Sequence, residues 1–366
     1  MTDKKEPIIR MGVVGGGFGA AFYWHRHPHC QVAAVADLIP ERRRHLQNVY
    51  QCPTAYESLE EMLKDPQVDA VALFTPAPNH ARDAIACLKA GKSVFCAVPA
   101  ALTIEEAEAL LETVKRTGLT YMMAETSYYH QIVISARKFY QEGKFGEIFY
   151  SEAEYHHPGL DVLWWGRDEK PTWRYAYPPM LYITHCTAYL VGVTKERLTS
   201  VSALGWGPKD ITYQPNPYNN PFLNETALFH TDQGHTFRVC VFWHGAMRGC
   251  ERGQWYGEKM SLFGSHPNGL GPIIVRQEDS SYVVEPYEQP QWWKSEMLPE
   301  GLRYESGHDG SHPFLVHEFI DALINERSPA IDIYEALAMT VPGIVAHQSA
   351  LRDGEQLKIP SYDPER

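Results

Sequence analysis

Short apolar runs alternate with amphipathic stretches along the first 125 residues. Runs at 8–14, 31–36, 70–74, 93–96 and 120–124 have strand length and little polar interruption, the pattern of strands buried on both faces. Between them, 40–50, 56–64 and 81–90 read as helices, and Thr103 with Glu106 three residues on opens another through a capping box. This alternation predicts a doubly wound parallel α/β sheet. Further along the pattern changes. Segments 148–156, 198–206, 227–243 and 259–263 read as strands of a largely antiparallel sheet, separated by Pro-, Asn- and Trp-rich loops, notably 207–222. Helices return at 180–191, 313–325 and 332–351, the last opened by Asp332 and Glu335 in a second capping box. The expected division is one domain over residues 1–126 and a second over 127–366.

The turn after the first strand carries candidate chemistry. In Val14-Gly15-Gly16-Gly17-Phe18-Gly19-Ala20, Gly15 and Gly17 fill the first two places of a G-x-G-x-x-G/A fingerprint and Ala20 the third. The first glycine permits the tight turn. The second lets backbone N–H groups approach a pyrophosphate, and the small third residue lets a following helix pack closely on the strand. Asp37 ends the second strand, where a carboxylate accepts from both ribose hydroxyls and repels a 2′-phosphate, so NAD is expected over NADP. Arg42, Arg43 and Arg44 have the spacing of the solvated face of the next helix. Ligands of such sheets lie beyond the carboxyl ends of the strands. The expected NAD contacts are therefore Gly15, Gly17, Phe18, Asp37, Thr75, Asn79, His80 and the backbone near Ala97.

Charge and composition narrow the partners. A net charge of -12 argues against nucleic acid or an anionic membrane. No apolar run has the length of a membrane span, and the polar start Met1-Thr2-Asp3-Lys4 leads straight into the first strand, so a cytoplasmic protein is expected. The 7 cysteines form no C-x-x-C pair, which suits buried thiols in a reducing compartment. Aromatics are plentiful, and many fall in segments that read as irregular: Trp164, Trp165, Trp173, Tyr175, Tyr177, Tyr213, Tyr218, Trp255, Tyr256, Trp292 and Trp293. Most read as core or subunit packing, a minority as a platform for sugar rings. An open sheet so rich in Trp and Tyr would expose a large apolar face alone, so a homodimer or homotetramer is expected. His25, His27 and His29 sit where a helix runs out at Pro28, and His308, Asp309, His312 and His317 show no fixed ligand spacing. These groups and His156-His157 yield no expected metal site, and the 308–317 group reads instead as a substrate-facing loop.

Taken together, Gly15-Gly16-Gly17-Phe18-Gly19, Ala36-Asp37, Thr75-Pro76-Ala77-Pro78-Asn79-His80, Ala90-Gly91-Lys92-Ser93-Val94, Trp173-Arg174 and Pro329-Ala330-Ile331-Asp332 resemble the glucose–fructose oxidoreductase, inositol dehydrogenase and MocA-like family over nearly the whole chain. The resemblance implies a Rossmann domain followed by an α/β domain with an open-faced sheet, and a sugar or polyol substrate. Typical dehydrogenases of this family carry Glu-Lys-Pro after the Gly91-Lys92 strand, and that lysine moves the proton of the oxidised hydroxyl. Here the segment is Cys96-Ala97-Val98-Pro99-Ala100-Ala101, with Val98 in the lysine's place. The family's Asp-x-x-x-His is also missing, and Tyr182-Ile183-Thr184-His185 stands there instead.

That altered pattern resembles the branch of NAD-dependent α-N-acetylgalactosaminidases. By that resemblance Glu125, Tyr155, His185 and Tyr256 match the branch's site residues, while Trp173 and Arg174 contact cofactor or substrate. Transient oxidation of a sugar hydroxyl such as that on C-3 acidifies the C-2 proton. A second base then removes it and the C-1 group leaves, without the usual carboxylate pair. The resemblance assigns the hydroxyl proton to His185, the C-2 proton to Tyr155, and orientation or tuning to Glu125 and Tyr256. Each residue also has a packing reading: a core histidine, a strand tyrosine, a turn-capping carboxylate. The alternative reaction is net oxidation of a sugar or cyclitol with His185 alone as base.

Overall fold

The computed structural model describes residues 7–364 apart from 158, 160–162, 167, 209–214 and 248; Tyr213 lies outside the described residues. Contacts divide the chain into two units, Met1–His130 with Gln291–Ala336, and Gln131–Pro290 with Leu337–Arg366.

In the first unit, strands β1 (Ile9–Val14), β2 (Cys30–Ala36), β3 (Ala55–Tyr56), β4 (Ala70–Leu73), β5 (Ser93–Cys96) and β6 (Tyr121–Met123) form an all-parallel sheet in the order β3-β2-β1-β4-β5-β6. Helices α1 (Pro40–Tyr50), α2 (Leu59–Met62), α3 (His80–Lys89) and α4 (Ile104–Thr117) connect the strands. The N-cap half of both predicted boxes forms: Glu106 N–H donates to Thr103 Oγ1 (3.1 Å) and Glu335 N–H to Asp332 Oδ1 (3.1 Å), while the Glu106 carboxylate accepts from Leu102 N–H (2.8 Å), one residue before the cap. The strand order reverses between β1 and β4, so the loops after Val14 and Leu73 leave from neighbouring strand ends.

One expected element is different. The glycine turn leads not into an α-helix but into two short 3-10 turns, Phe18–Ala21 and Trp24–Arg26. The segment is aromatic-rich, and burial wins over helix formation. Phe22 and Trp24 are fully buried and pack on Phe74, Phe95 and Phe319, the last from a helix later in the chain.

The second unit is built on nine strands: β7 (Ile148–His156), β8 (Leu198–Trp206), β9 (Asn224–Thr231), β10 (Thr236–Phe242), β11 (Cys250–Gly257), β12 (Met260–Phe263), β13 (Ile273–Glu278), β14 (Ser281–Pro286) and β15 (Leu357–Lys358). Their order is β14-β13-β12-β11-β7-β10-β9-β8-β15, antiparallel except where β7 meets β10. The run expected as one strand over 227–243 is a hairpin, because Thr231-Asp232-Gln233-Gly234 turns with Gly234 at φ +86°. Helix α5 (Gln131–Gln141) packs on α6 (Thr184–Thr194), which covers one face of the sheet. The helix expected from residue 180 begins as a 3-10 turn, Pro179–Tyr182. Later come a short turn α7 (Gly307–Gly310), α8 (His312–Ile324) and α9 (Ile333–Ala350).

The opposite face of the second sheet is open. It exposes Leu204, Trp206 and Leu228 at one side and carries a charged network at its centre. There Arg238 donates to Glu152 (2.6 Å) and Glu154 (2.8 Å), and Arg252 donates to Glu154 (3.0 Å). Burial would raise the Glu154 pKa, but the two guanidinium groups outweigh it and hold the carboxyl below its ordinary range.

Near the sheet edge, His235 lies between Glu147 Oε1 (2.9 Å) and Glu196 Oε2 (3.1 Å). Burial pulls its pKa down, but the hydrogen bonds and charges of the two carboxylates win and raise it. A raised folded-state pKa means that the clamp stabilises fully below the unfolded value of about 6.5, and that this contribution is lost as the pH rises through the folded value. The unfolding free energy of the parent minus that of His235→Gln should therefore be largest near about pH 5.5 and shrink toward about pH 9 in urea titrations. A difference that is flat or grows with pH contradicts this account.

Candidate active site

Steric limits in the first unit shape a cradle. Gly15 has φ +99°, and a Cβ there would collide with the Phe74 carbonyl at the end of β4. At Gly17 a Cβ would meet nothing within 4 Å, so the backbone faces open space. Asp37 stands where the sequence predicts, at the end of β2, and its carboxylate is pinned. Gly16 N–H donates to Oδ2 (2.6 Å) and Ile39 N–H to Oδ1 (2.8 Å). Each carboxylate oxygen keeps acceptor capacity for a hydroxyl. Arg43 turns to the Asp37 carbonyl (2.8 Å) and Glu57, and Arg44 to Glu41, so neither extends freely as a phosphate clamp.

Thr75 follows β4, and its buried hydroxyl has no hydrogen-bond partner among the described residues. His80, 2 % exposed, bridges the Pro99 carbonyl (Nδ1, 2.8 Å) and the Thr75 carbonyl (Nε2, 2.7 Å), bolting together the loops after β4 and β5. Asn79 precedes α3 directly without a side-chain cap. The Ala97 N–H is committed to the Leu73 carbonyl (2.9 Å), and the Val98–Pro99 bond that follows is cis. Phe18 lies edge-on to Phe74, His308 and His312. An open glycine backbone, a pinned carboxylate at the second strand end and an unpaired hydroxyl at the fourth fit a dinucleotide.

Within the 308–317 group His308 and Asp309 are exposed, as a loop facing substrate would be, whereas His312 and His317 pack inward. His312 is 2 % exposed, stacks on Phe22 and is pulled down to about 4 by burial, while His317 pairs with His27 (3.1 Å). Glu125 is fully buried and, within its own unit, caps the turn Thr126–Tyr129 by accepting from Ser127 N–H (2.8 Å).

In the second unit, strand alternation assembles the other group. Tyr155 on β7 lies directly opposite Glu251 on β11, on the face that α6 covers. His185, in the first turn of α6, is 5 % exposed. Its ring stacks on Tyr155 (4.6 Å between centroids, 25°) and lies 5.0 Å from Tyr182. Its Nδ1 is 3.6 Å from Glu251 Oε1, an ion-pair distance once the ring is protonated. Trp243 closes the ring cluster against Tyr155 and Tyr182, and its indole N–H donates to the Tyr177 carbonyl (2.8 Å). A base, a stacked phenol and a carboxylate are thus within reach of one another.

Tyr256 is not among them. It lies five residues beyond Glu251 on the same strand, and the period of two turns it onto the open face, against Tyr150 (5.2 Å). Arg174 packs over the Trp173 ring (4.0 Å). Glu251, Tyr182 and Trp243 were not singled out from the sequence. On the open face Glu154, His156 and Cys250 lie close enough to hold a metal. The Glu154 carboxylate is already taken by Arg238 and Arg252, whose charges oppose a cation there.

Comparison with known proteins agrees with this geometry. Residues 9–125 match the family model of the Gfo/Idh/MocA oxidoreductases with an NAD-binding Rossmann fold, and residues 275–365 match the C-terminal domain of glycosyl hydrolase 109. The chain thus carries an NAD-binding Rossmann domain of the Gfo/Idh/MocA oxidoreductase type over residues 9–125, and residues 275–365 are similar to the C-terminal domain of glycosyl hydrolase 109. A glycosyl hydrolase family 109 protein of Solibacter usitatus is 25% identical, covering 99% of this chain and 90% of that protein. An NAD-binding oxidoreductase of Klebsiella pneumoniae superposes with TM-score 0.80 at 16% identity, covering 97% of this chain and 100% of the other. A levoglucosan dehydrogenase in complex with NADH and L-sorbose gives TM-score 0.76 at 17% identity, with the same coverage of 97% and 100%. NAD is the cofactor of this Rossmann domain.

The two glycines should separate folding from binding. Gly17→Ala should change the unfolding free energy by less than about 0.5 kcal/mol yet weaken NAD⁺ binding at least about tenfold, because its methyl fills the space the pyrophosphate needs. Gly15→Ala should instead lower stability by roughly 1–3 kcal/mol. Calorimetry showing parental NAD⁺ affinity for Gly17→Ala would remove Gly17 from the cradle.

Proposed function

We propose that this chain is a carbohydrate-active enzyme that cleaves a glycoside through transient, redox-neutral oxidation. The observation that carries the reading is the stack of His185 on Tyr155 beside Glu251, in a chain with valine at position 98. Lys92, nearby in sequence, is committed to the carbonyls of Asp65 and Val68 and offers no substitute for a lysine base. The matched glycosyl hydrolase 109 domain and the relatives of that name support the same choice.

Bound NAD⁺ would supply the hydride acceptor at a sugar carbinol carbon, and its reduced form the donor that later restores that carbon. His185 takes the proton of the hydroxyl as it becomes a carbonyl, and Glu251 stabilises the imidazolium that results. The new carbonyl acidifies the neighbouring C–H, whose proton goes to Tyr155 acting as its phenolate. The electron pair left on that carbon expels the C-1 substituent, and water then adds at C-1 as Tyr155 returns the proton to the neighbouring carbon. Glu125, Trp173 and Arg174 serve as orienting contacts. On the cofactor side, Gly15, Gly17 and Phe18 line the pyrophosphate turn, Asp37 takes the ribose, and Thr75, Asn79, His80 and Ala97 line the strand ends. Net oxidation to a keto sugar is the second reading, favoured by the likeness in fold to a sugar dehydrogenase.

Purified enzyme incubated with nitrophenyl glycosides in D₂O, without added cofactor, divides the two. Cleavage with deuterium entering at C-2 and no net NADH is expected, and His185→Gln should reduce it at least about 100-fold. NADH accumulating in proportion to substrate, with the glycosidic bond intact, establishes the dehydrogenase instead.

The open face of the second sheet, with Leu204 63%, Trp206 51% and Leu228 51% exposed, is proposed as the contact between copies of this chain. Light scattering should report a dimer or tetramer, and Leu228→Glu should shift it toward monomer. A parent mass of 41.6 kDa in solution would overturn this assembly.

A further inference from the structure

Burial of a charge needs a reason, and Glu225 on β9 is buried to 1% exposure on the helix-covered side of its strand. Its two oxygens are both used. Oε2 accepts the backbone N–H of Met180 (2.8 Å), and Oε1 lies 2.8 Å from Nδ1 of His347. A carboxylate only accepts, so Nδ1 carries the shared proton. His347 is itself 7% exposed, and its Nε2 has no partner among the described residues. Buried pairs of this kind contribute little net stability compared with apolar packing, so their use lies elsewhere.

What the pair holds is the start of one short segment. Met180 belongs to the 3-10 turn Pro179–Tyr182, which runs directly into α6 and so carries both Tyr182 and His185. The same segment is gripped from α9. A side chain at Gly343 would collide with the Met180 carbonyl and with Ile183, and Thr187 Oγ1 donates to the Met339 carbonyl (2.9 Å). Before it, Pro178 and Pro179 limit the backbone, and the Tyr177 carbonyl is tied to the Trp243 indole (2.8 Å). None of these anchors is made by the His185 ring itself, which stacks on Tyr155.

We infer that Glu225 and His347 are positioning residues that set the place of His185 through the Met180 amide. This rests on the reading of His185 as the hydroxyl base. Removing the carboxylate frees the Met180 N–H and lets the turn relax. A shift of about 1 Å at a reacting group costs on the order of 100-fold in rate.

The test labels histidine Cε1 with ¹³C and follows the His185 resonance, assigned by its loss in His185→Gln, through a pH titration. In Glu225→Ala the His185 signal and its titration midpoint should move by about half a pH unit or more. Glycoside cleavage should fall about 100-fold in kcat/KM, while NAD⁺ affinity stays within about twofold. Glu225→Gln, whose amide oxygen still accepts from Met180, should recover most of both. Gly343→Ala pushes the same turn from α9 and should move the same resonance, which covers a Glu225→Ala variant that fails to fold. Folded variants with a parental His185 resonance and titration overturn the inference. A parent enzyme that neither cleaves glycosides nor reduces NAD⁺ overturns the reaction reading alone, since the His185 resonance still reports position.

Discussion

Along β7 the side chains alternate between two unlike environments, and the site in the second unit depends on that period of two. Ser151, Ala153 and Tyr155 turn toward α6, while Tyr150, Glu152, Glu154 and His156 turn to the open face. Because β7 pairs with β10 on one side and β11 on the other, each neighbour inherits the same division: Glu251 joins Tyr155, and Arg252 joins Glu154. A slip of one residue in either register would exchange the aromatic and imidazole cluster for an ion-pair network. The three charge-assisted bonds between Arg238, Arg252, Glu152 and Glu154 resist such a slip, since misregister would leave buried charges unpaired. The open-face network therefore guards the register on which the opposite face relies.

The first unit obeys a tighter steric rule with a looser local structure. Gly15 must be glycine because β1 and β4 end side by side, so that turn is forced by the strand order. Beyond it the expected helix is absent, and with it the helix dipole usually invoked for the pyrophosphate. What remains for the phosphates is the backbone of the turn itself, open at Gly17. Phe22 and Trp24 fill the space beneath, joined by Phe319 from α8. Aromatic burial thus takes the place of helix packing while leaving the turn exposed.

The parallel sheet was legible because its strands are buried on both faces and read as uninterrupted apolar runs. The mixed sheet was legible only in part. Residues 250–257 look like a polar loop, Cys-Glu-Arg-Gly-Gln-Trp-Tyr-Gly, because one face carries ion pairs and the other presents Gly253 to the Tyr189 ring. The hairpin of β13 and β14 was also missed, since most of its residues are exposed and its alternation is weak. The same blindness hid Glu251, whose relation to His185 exists only through cross-strand register. Tyr155 and His185 could be picked out because each stands in a local motif. Tyr256 shows the limit of motif reading, since its face depends on a strand that the sequence does not reveal.

In the proposed mechanism, Val98 in place of a lysine changes more than the identity of the base. A lysine on a loop beside the cofactor reaches its substrate on a long, flexible stem and tolerates small errors in backbone placement. An imidazole has two torsions and a fixed plane, so its aim is the aim of its backbone. His185 also sits in the first turn of α6, where the N–H groups lack intrahelical partners and the dipole disfavours a cation. Glu251 at 3.6 Å offsets that penalty when the ring takes a proton. In the proposed mechanism, a proton acceptor at a helix start calls for two supports that a loop lysine does without: a carboxylate to stabilise the imidazolium, and firm anchorage of the turn that precedes it. Both are built into the second unit, the first by β11 and the second by β9 and α9.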